Sequence, residues 1–208
     1  MLKLTPRDLK REANSEMVRE LLSSRYLSFS VDEVVVRESS ASETTQVECE
    51  LDVRDQTGLG VSYKIKGTGA GVLDALFNGI ADEMIPDCRT LKNLSVQEFQ
   101  VQTDKRDLKA LRQERRGASA AVEICLTIDN GFDTNNREVP FRSRSRSILS
   151  ASVDVVIETI QYFVNSEVAV LYLKELVEDS KKRNRFDLTD DYISKLSDLM
   201  SNTSYEDV

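Results

Sequence analysis

Hydrophobic residues recur at two different spacings in the first half of this chain. Between Gln46 and Val53 every second residue is apolar, which is the period of a β-strand with one buried face. Similar short runs cover 27–36 and 59–65. Asp55–Gly58 is predicted to form a turn between the run that ends at Val53 and the run that begins at Leu59. A helical spacing then takes over, with its apolar stripe at Leu73, Leu76, Phe77, Ile80 and Met84. The pattern predicts three strands followed by a helix.

The same order then occurs a second time. Ser95–Val101 corresponds to Ser30–Val36, and Val122–Ile128 corresponds to Val47–Val53. A third strand is expected near 139–145, followed by a helix whose stripe is Leu149, Val153, Val156, Ile160 and Phe163. A charged insertion at 105–116 separates the copies and is expected to be an exposed loop or short helix. Because three strands and one helix form too thin a layer alone, the two units should pack together as an α+β fold.

Helices are predicted on both sides of this duplicated region. Thr5 and Pro6 form a helix start, and Leu9, Ala13, Met17 and Leu21 share one face of an amphipathic helix within 1–25. The duplicated domain spans 26–165, with repeats at 26–86 and 91–165. Residues 166–208 form a helical extension that should fray beyond 200.

Composition narrows the function classes. A net charge of −8 argues against general binding to nucleic acid or anionic membranes, and neither a membrane span nor a signal peptide is evident. Cys49, Cys88 and Cys125 lie far apart, which favours reduced thiols in a cytoplasmic protein. The chain has no histidine, which removes histidine-based catalysis and histidine-ligated metals. We therefore expect no enzyme, no metal and no cofactor, although carboxylates such as Asp74, Asp82 and Glu83 are available.

A glycine-rich turn joins the first repeat's last strand to its helix. Gly67, Gly69 and Gly71 allow positive φ or a close approach of the backbone to another group. The start of the following helix carries unpaired N–H groups and partial positive charge, where a carboxylate or phosphate can bind. The alternative is a tight turn without a ligand.

This turn resembles a known motif. Gly69-Ala-Gly-Val-Leu-Asp-Ala-Leu-Phe-Asn-Gly-Ile80 is similar to G-x-G-P-V-D-A-x-x-x-A-I in the C-terminal allosteric dimerisation domain of the 2-isopropylmalate synthase and citramalate synthase family. Ile148–Ser152 and the later Tyr162–Asn165 resemble that domain's second-repeat motif, D-I-I-x-A-S followed by A-Y-x-x-A-x-N. The resemblance covers residues 26–165.

The resemblance implies a dimeric regulatory domain linked to branched-chain amino acid biosynthesis. In the family, this domain binds leucine, or isoleucine, near the glycine-rich turns at a dimer interface and inhibits a catalytic barrel. This chain lacks both the barrel and its histidine motif, so it looks like a regulatory domain without its enzyme. The expected partners are a second copy, an amino-acid effector and a separately encoded synthase.

The candidate ligand-binding residues lie in the two turns. They are Gly69, Ala70, Gly71, Val72, Leu73, Asp74 and Ala75 in the first repeat, and Arg146, Ile148, Leu149 and Ala151 in the second. An effector's carboxylate would meet the backbone amides of 71–74, and its side chain would contact the apolar members. Asp74 either holds the effector's ammonium group or serves as a helix cap.

Departures from the family motif leave the effector open. Val72 replaces the motif proline, and Phe141 and Ser143 replace a second glycine pair. The side chains of 142, 144 and 146 form an arginine row on one strand face. One possibility is that these arginines pair with acidic residues on neighbouring strands, such as Glu48, Glu50 and Asp52. The other is that Arg146 faces a ligand more acidic than leucine.

A different class of function is also open. The chain would then be a protein-interaction or dimerisation module without a ligand, and its terminal helices would dock a synthase-like partner. Those helices have a simpler explanation, which is that they cover the domain's own sheets.

Overall fold

The structure is a computed structural model that describes residues 5–39, 41–103, 121–131 and 138–200. The helices are α1 (Pro6–Leu22), α2 (Val72–Met84), α3 (Ile148–Lys182) and α4 (Phe186–Met200). The strands are β1 (Ser28–Ser39), β2 (Thr44–Arg54), β3 (Gly60–Gly69), β4 (Ser95–Thr103), β5 (Val122–Asp129) and β6 (Glu138–Ser145). The predicted insertion at 105–116 and the frayed end at 201–208 lie outside the described residues.

The predicted α+β duplication is confirmed. Antiparallel sheets β1-β2-β3 and β4-β5-β6 are each followed by a helix, and α2 and α3 pack against each other. Both sheets carry a register shift in the first strand, at 31–34 in β1 and at 96–98 in β4. One continuous core contains residues from both sheets and both helices. The two thin layers are therefore stabilised by shared burial.

The link between the repeats is held by a buried carboxylate. Glu167 on α3 accepts hydrogen bonds from the backbone N–H groups of Arg89 and Thr90, at 3.2 and 2.8 Å, and from the Cys88 thiol at 2.8 Å. Burial, together with this neighbouring carboxylate, raises the pKa of Cys88 far above its usual range. The thiol is therefore protonated and serves as a hydrogen-bond donor.

Helix α1 lies beside β6 and α3, and its buried face differs from the predicted one. The helix begins with a capping box in which Thr5 and Asp8 exchange hydrogen bonds. Leu9 and Ala13 are exposed, whereas Asp8 is only 1% exposed and binds Arg142 through two hydrogen bonds of 3.1 and 3.2 Å. The prediction of that face was wrong at Leu9 and Ala13, because a charged pair anchors the first turns, whereas Met17 and Leu21 do pack against a hydrophobic core.

The second half of α3 belongs to a smaller core. Val170 and Leu173 on α3 pack there with Val18 and Leu22 of α1 and with Leu199 of α4. The predicted boundary between residues 165 and 166 falls inside α3, which runs without a break from one core to the other. The terminal helices therefore cover the chain's own long helix.

Candidate functional site

Two of the three turn glycines are required by packing. A Cβ on Gly67 would lie 2.8 Å from the carbonyl carbon of Ala75 and still closer to its oxygen. A Cβ on Gly79 would lie 2.8 Å from the Cα of Gly67, and one on Gly69 would lie 2.6 Å from the backbone nitrogen of Ala75. Strand β3 and helix α2 thus approach so closely that side chains at Gly67 and Gly69 have no room.

Gly71 has no such reason to be glycine. A Cβ there would have no atom within 4 Å, and its φ of −155° is extended backbone that any residue adopts. It is the N-cap of α2, and its carbonyl accepts the first helical hydrogen bond, from Ala75 at 2.9 Å. Its missing side chain leaves the start of the helix uncovered.

The backbone at the start of α2 retains free donors. No side chain caps this helix, and the N–H groups of Val72, Leu73 and Asp74 have no acceptor among the described residues. The other repeat differs, because the Ser147 hydroxyl accepts a hydrogen bond from the Ser150 N–H at the start of α3. The chemistry at α2 therefore suits an anionic oxygen.

Asp74 holds the residues that precede α2 and does not cap the helix itself. Its carboxylate accepts hydrogen bonds from the Ala70 N–H at 3.0 Å and from the Asn78 amide at 3.2 Å. These contacts fix the turn before α2. They use one lone pair on each oxygen, so the carboxylate retains acceptor capacity.

The predicted site residues differ in solvent exposure and form three groups. Ala70, Arg146, Ile148 and Leu149 are exposed. Gly69, Gly71, Val72 and Asp74 are half-buried. Leu73, Ala75 and Ala151 are buried in the one shared core, so they support the site from beneath.

The arginine row does not pair as the first interpretation expected. Arg142 binds Asp8 of α1, while Glu48 pairs with Arg37 and Asp52 pairs with Arg54. The prediction that acidic strands of the first sheet neutralise the row is therefore wrong for Arg142. Arg146 is exposed and makes no ion pair with a described residue.

Sequence reasoning missed the amides that pin β1 to α3. Asn165 accepts from the Leu27 N–H at 2.8 Å and donates to the Leu27 carbonyl at 2.9 Å. Gln161 accepts from the Phe29 N–H at 2.9 Å. Two polar residues one turn apart on an apolar helix were the available signal, since buried amides in such places usually bind backbone.

Apolar side chains remain exposed on the first strand of the second sheet. Phe99 and Val101 lie opposite the fully buried Leu126 and Ile124, on the face that the helices cover further along the sheet. Nevertheless Phe99 is 44% and Val101 45% exposed. Since α3 packs on β5 and β6, this edge of the apolar face is open to a partner.

Neither a membrane-spanning helix nor a metal-binding cluster occurs among the described residues. None of the described helices combines the length and hydrophobicity needed to cross a membrane. Within the same ranges, no three acidic or thiol side chains come together as a metal site would require.

No protein-family model matches the chain, and no curated protein matches it either. The likeness to the allosteric domain thus depends on its motifs and repeat order.

Proposed function

We propose that this chain is a stand-alone regulatory domain that binds a small carboxylate effector at the start of α2. The best candidates are branched-chain amino acids, which would link the protein to leucine biosynthesis. The observation that carries the proposal is the uncapped start of α2, with its three free N–H groups beside a glycine that packing does not require. The duplicated architecture supports the resemblance in which such turns bind effectors.

The effector's charges have complementary groups at this turn. Its carboxylate accepts hydrogen bonds from the amides of 72–74, aided by the helix dipole. Its ammonium group binds the remaining acceptor capacity of Asp74. Because Val72 is half-buried, it offers apolar surface beside these polar groups.

As part of this proposal, we expect the start of α3 in the second repeat to set the effector preference. Ile148 and Leu149 are exposed apolar residues at the start of α3 and suit a branched aliphatic side chain. Arg146, two residues earlier, has no carboxylate partner in the described chain and suits an acidic side chain instead. Aliphatic and acidic amino acids therefore belong in one panel.

A homodimer completes the proposal. Phe99 and Val101 lie on an edge strand where a second copy would cover them, and Val34 and Val36 occupy the matching positions of β1, half-buried. Phe99→Lys should convert a dimer into a monomer while keeping the fold, whereas Leu59→Lys, at an exposed apolar residue outside this edge, should leave the mass unchanged. Analytical ultracentrifugation measures both. A monomeric wild-type chain would contradict this part.

The binding test uses one side chain at the turn. Gly71→Ser places a hydroxyl where it caps the N–H groups of α2, so it should stabilise the fold while removing effector binding. The matched control, Ala70→Ser, adds the same group at an exposed neighbouring position and should bind as the wild type does. Calorimetry with leucine, isoleucine, valine, aspartate and glutamate reports affinity. Absence of heat from all five on the folded wild type refutes the proposal.

A second candidate is a ligand-free module that docks a separate synthase. It is favoured by exposed apolar residues on the helical extension, namely Leu171, Phe186 and Ile193. Mixing the chain with a purified synthase that lacks its own regulatory domain tests this directly. A complex that Phe186→Lys abolishes, and that effectors do not alter, supports docking over sensing.

A further inference from the structure

Strand β4 is the least covered of the strands that lie at a sheet edge. It forms one edge of the sheet β4-β5-β6, and none of its side chains at 95–102 is buried. The other three edge strands each contribute a side chain to the core, namely Phe29 of β1, Ile65 of β3 and Phe141 of β6, all at most 8% exposed. An edge strand presents a row of backbone N–H and C=O groups with which another chain can pair. Folded proteins therefore protect their edge strands.

The other three edges carry a recognisable protection. Side-chain amides of α3 bind the backbone where β1 begins. Helix α1 lies beside β6, and its Asp8 binds Arg142 of that strand. Strand β3 carries Lys64 and Lys66, and lysines on an edge discourage pairing with another chain. Between 95 and 103, by contrast, Glu98 is the only charged residue, so charge does little to deter a partner strand from β4.

Both faces of β4 suit a neighbouring strand. Phe99 and Val101 share the apolar face of the sheet. On the opposite face, the Gln100 amide donates to the Glu98 carboxylate at 2.6 Å, and the Gln102 amide donates to the Gln100 oxygen at 3.1 Å. Each glutamine amide has a second hydrogen, so this row can also donate across to a partner strand.

The sequence of β4 is complementary to itself in one register. When two copies pair antiparallel about a two-fold axis perpendicular to the sheet, residues equidistant from the axis face each other and both apolar faces stay on one side. With the axis at Gln100, each Phe99 faces the partner's Val101, and each Glu98 faces the partner's Gln102. An aromatic residue then pairs with a β-branched one, and a carboxylate pairs with an amide donor.

The neighbouring registers are poorer. An axis at Glu98 would set the two Glu98 carboxylates opposite each other. An axis at Phe99 would place Val101 opposite the partner's Gln97, and an axis at Val101 would place Phe99 opposite the partner's Thr103. Only the register at Gln100 buries all four exposed apolar side chains against one another.

We propose that two copies of this chain join through β4, antiparallel and with the two-fold axis at Gln100, to form one continuous six-stranded sheet. The partner is a second copy because the strand satisfies its own apolar and polar requirements in this register. This inference rests on the homodimer of the proposed function and specifies its interface. Effector binding at α2 does not depend on it.

Charge substitutions test the register, and sedimentation equilibrium gives the dimer Kd. Gln102→Lys places a cation opposite the partner's Glu98 twice and should tighten the dimer roughly fivefold. Adding Glu98→Lys sets lysine opposite lysine, so the double variant should bind more weakly than the wild type. Gln46→Lys adds the same charge at an exposed position on the other sheet and should leave the Kd unchanged. These side chains are not buried, so the variants should fold.

Cross-linking tests the axis. Cys125 lies opposite Gln100 on β5, so it is first replaced by alanine. In that background, Gln100→Cys sets two thiols opposite each other across the axis, within disulfide reach. Oxidation with copper phenanthroline should therefore give a covalent dimer, whereas Gln46→Cys in the same background should stay monomeric on a denaturing gel.

The outcomes separate this inference from the proposed function. A dimer that does not cross-link at residue 100, or whose Kd responds equally to Gln102→Lys and to the double variant, overturns pairing through β4 and leaves the homodimer standing. A monomeric wild type overturns both the strand pairing and the homodimer. Calorimetry with amino acids on the same protein decides the effector site in every case.

Discussion

The contact between β3 and α2 predicts how two glycines respond to a single added methyl group. Gly67→Ala would put a Cβ 2.8 Å from the carbonyl carbon of Ala75, where only backbone is available to move. Overpacking typically costs 1–3 kcal/mol, and a clash with helix backbone cannot be relieved by a rotamer change, so we expect ~3 kcal/mol. For a chain of this length that lowers the melting temperature by roughly 6–12 °C.

The close contact between β3 and α2 also predicts that the effects of substitutions at Gly67 and Gly79 are not additive. Gly79→Ala would gain about 1 kcal/mol of helix propensity elsewhere, yet here its Cβ meets the Cα of Gly67 at 2.8 Å, so it should destabilise. Once α2 has moved away from one methyl group, the second costs less, so the double variant should be less destabilised than the sum.

Urea denaturation followed by circular dichroism measures all three variants, with Gly71→Ala as the control. That residue has nothing within 4 Å, so its substitution loses only the N-cap preference for glycine over alanine, about 1 kcal/mol or less, and no steric term is added. Equal losses for Gly67→Ala and Gly71→Ala, or a gain for Gly79→Ala, would refute the packing argument.

Three further predictions concern the buried polar groups. Glu167→Gln replaces an acceptor oxygen with a donor beside two backbone N–H groups and should cost about 2 kcal/mol in urea denaturation, whereas exposed Glu175→Gln should not. Burial alone would raise the pKa of Asp8, but hydrogen bonds from Thr5 and Arg142 lower it overall, so its stabilising effect exists above pH 3.8 and is lost as pH falls through the lowered value. Asp8→Asn should therefore lose about 1.5–3 kcal/mol at pH 7 and match the wild type at the acid end, and a constant difference across pH would contradict the assignment. Asn165→Leu should speed amide hydrogen exchange at Leu27, and unchanged protection there would show that the amide does not pin β1.

Periodicity was sufficient to predict the duplicated fold. Strands such as β2 and β5 alternate cleanly because one face is buried by helices and the other is solvated. The stripe on α2 is equally regular, since that helix buries one face on a sheet. Local pattern and tertiary burial agree in these elements, so sequence alone was informative.

Prediction failed where charges replace apolar contacts. The buried face of α1 begins with Asp8, which is buried only because Arg142, 134 residues later, supplies its partner. Neither the sequence spacing nor the hydrophobicity of α1 contains that information. The same limit applies to Glu167, whose carboxylate is buried because a distant turn offers N–H donors.

In the glycine-rich turn, one prediction from the sequence was correct, but the sequence could not distinguish the roles of its three glycines. The sequence predicted correctly that its glycines permit close approach of backbone. It did not separate Gly67 and Gly69, which make room for α2, from Gly71, which packing does not require. That distinction needs coordinates, and it identifies Gly71 as the glycine whose substitution tests binding without disturbing the packing.

The central claim is that a carboxylate effector binds the free N–H groups at the start of α2. Backbone amide NMR during titration with leucine, and then with glutamate, tests it most directly. We predict saturable shifts that are largest at Val72, Leu73 and Asp74 and are absent in Gly71→Ser. Unchanged amide signals at these three residues while the ligand binds elsewhere, or no shift with any amino acid, would contradict the account.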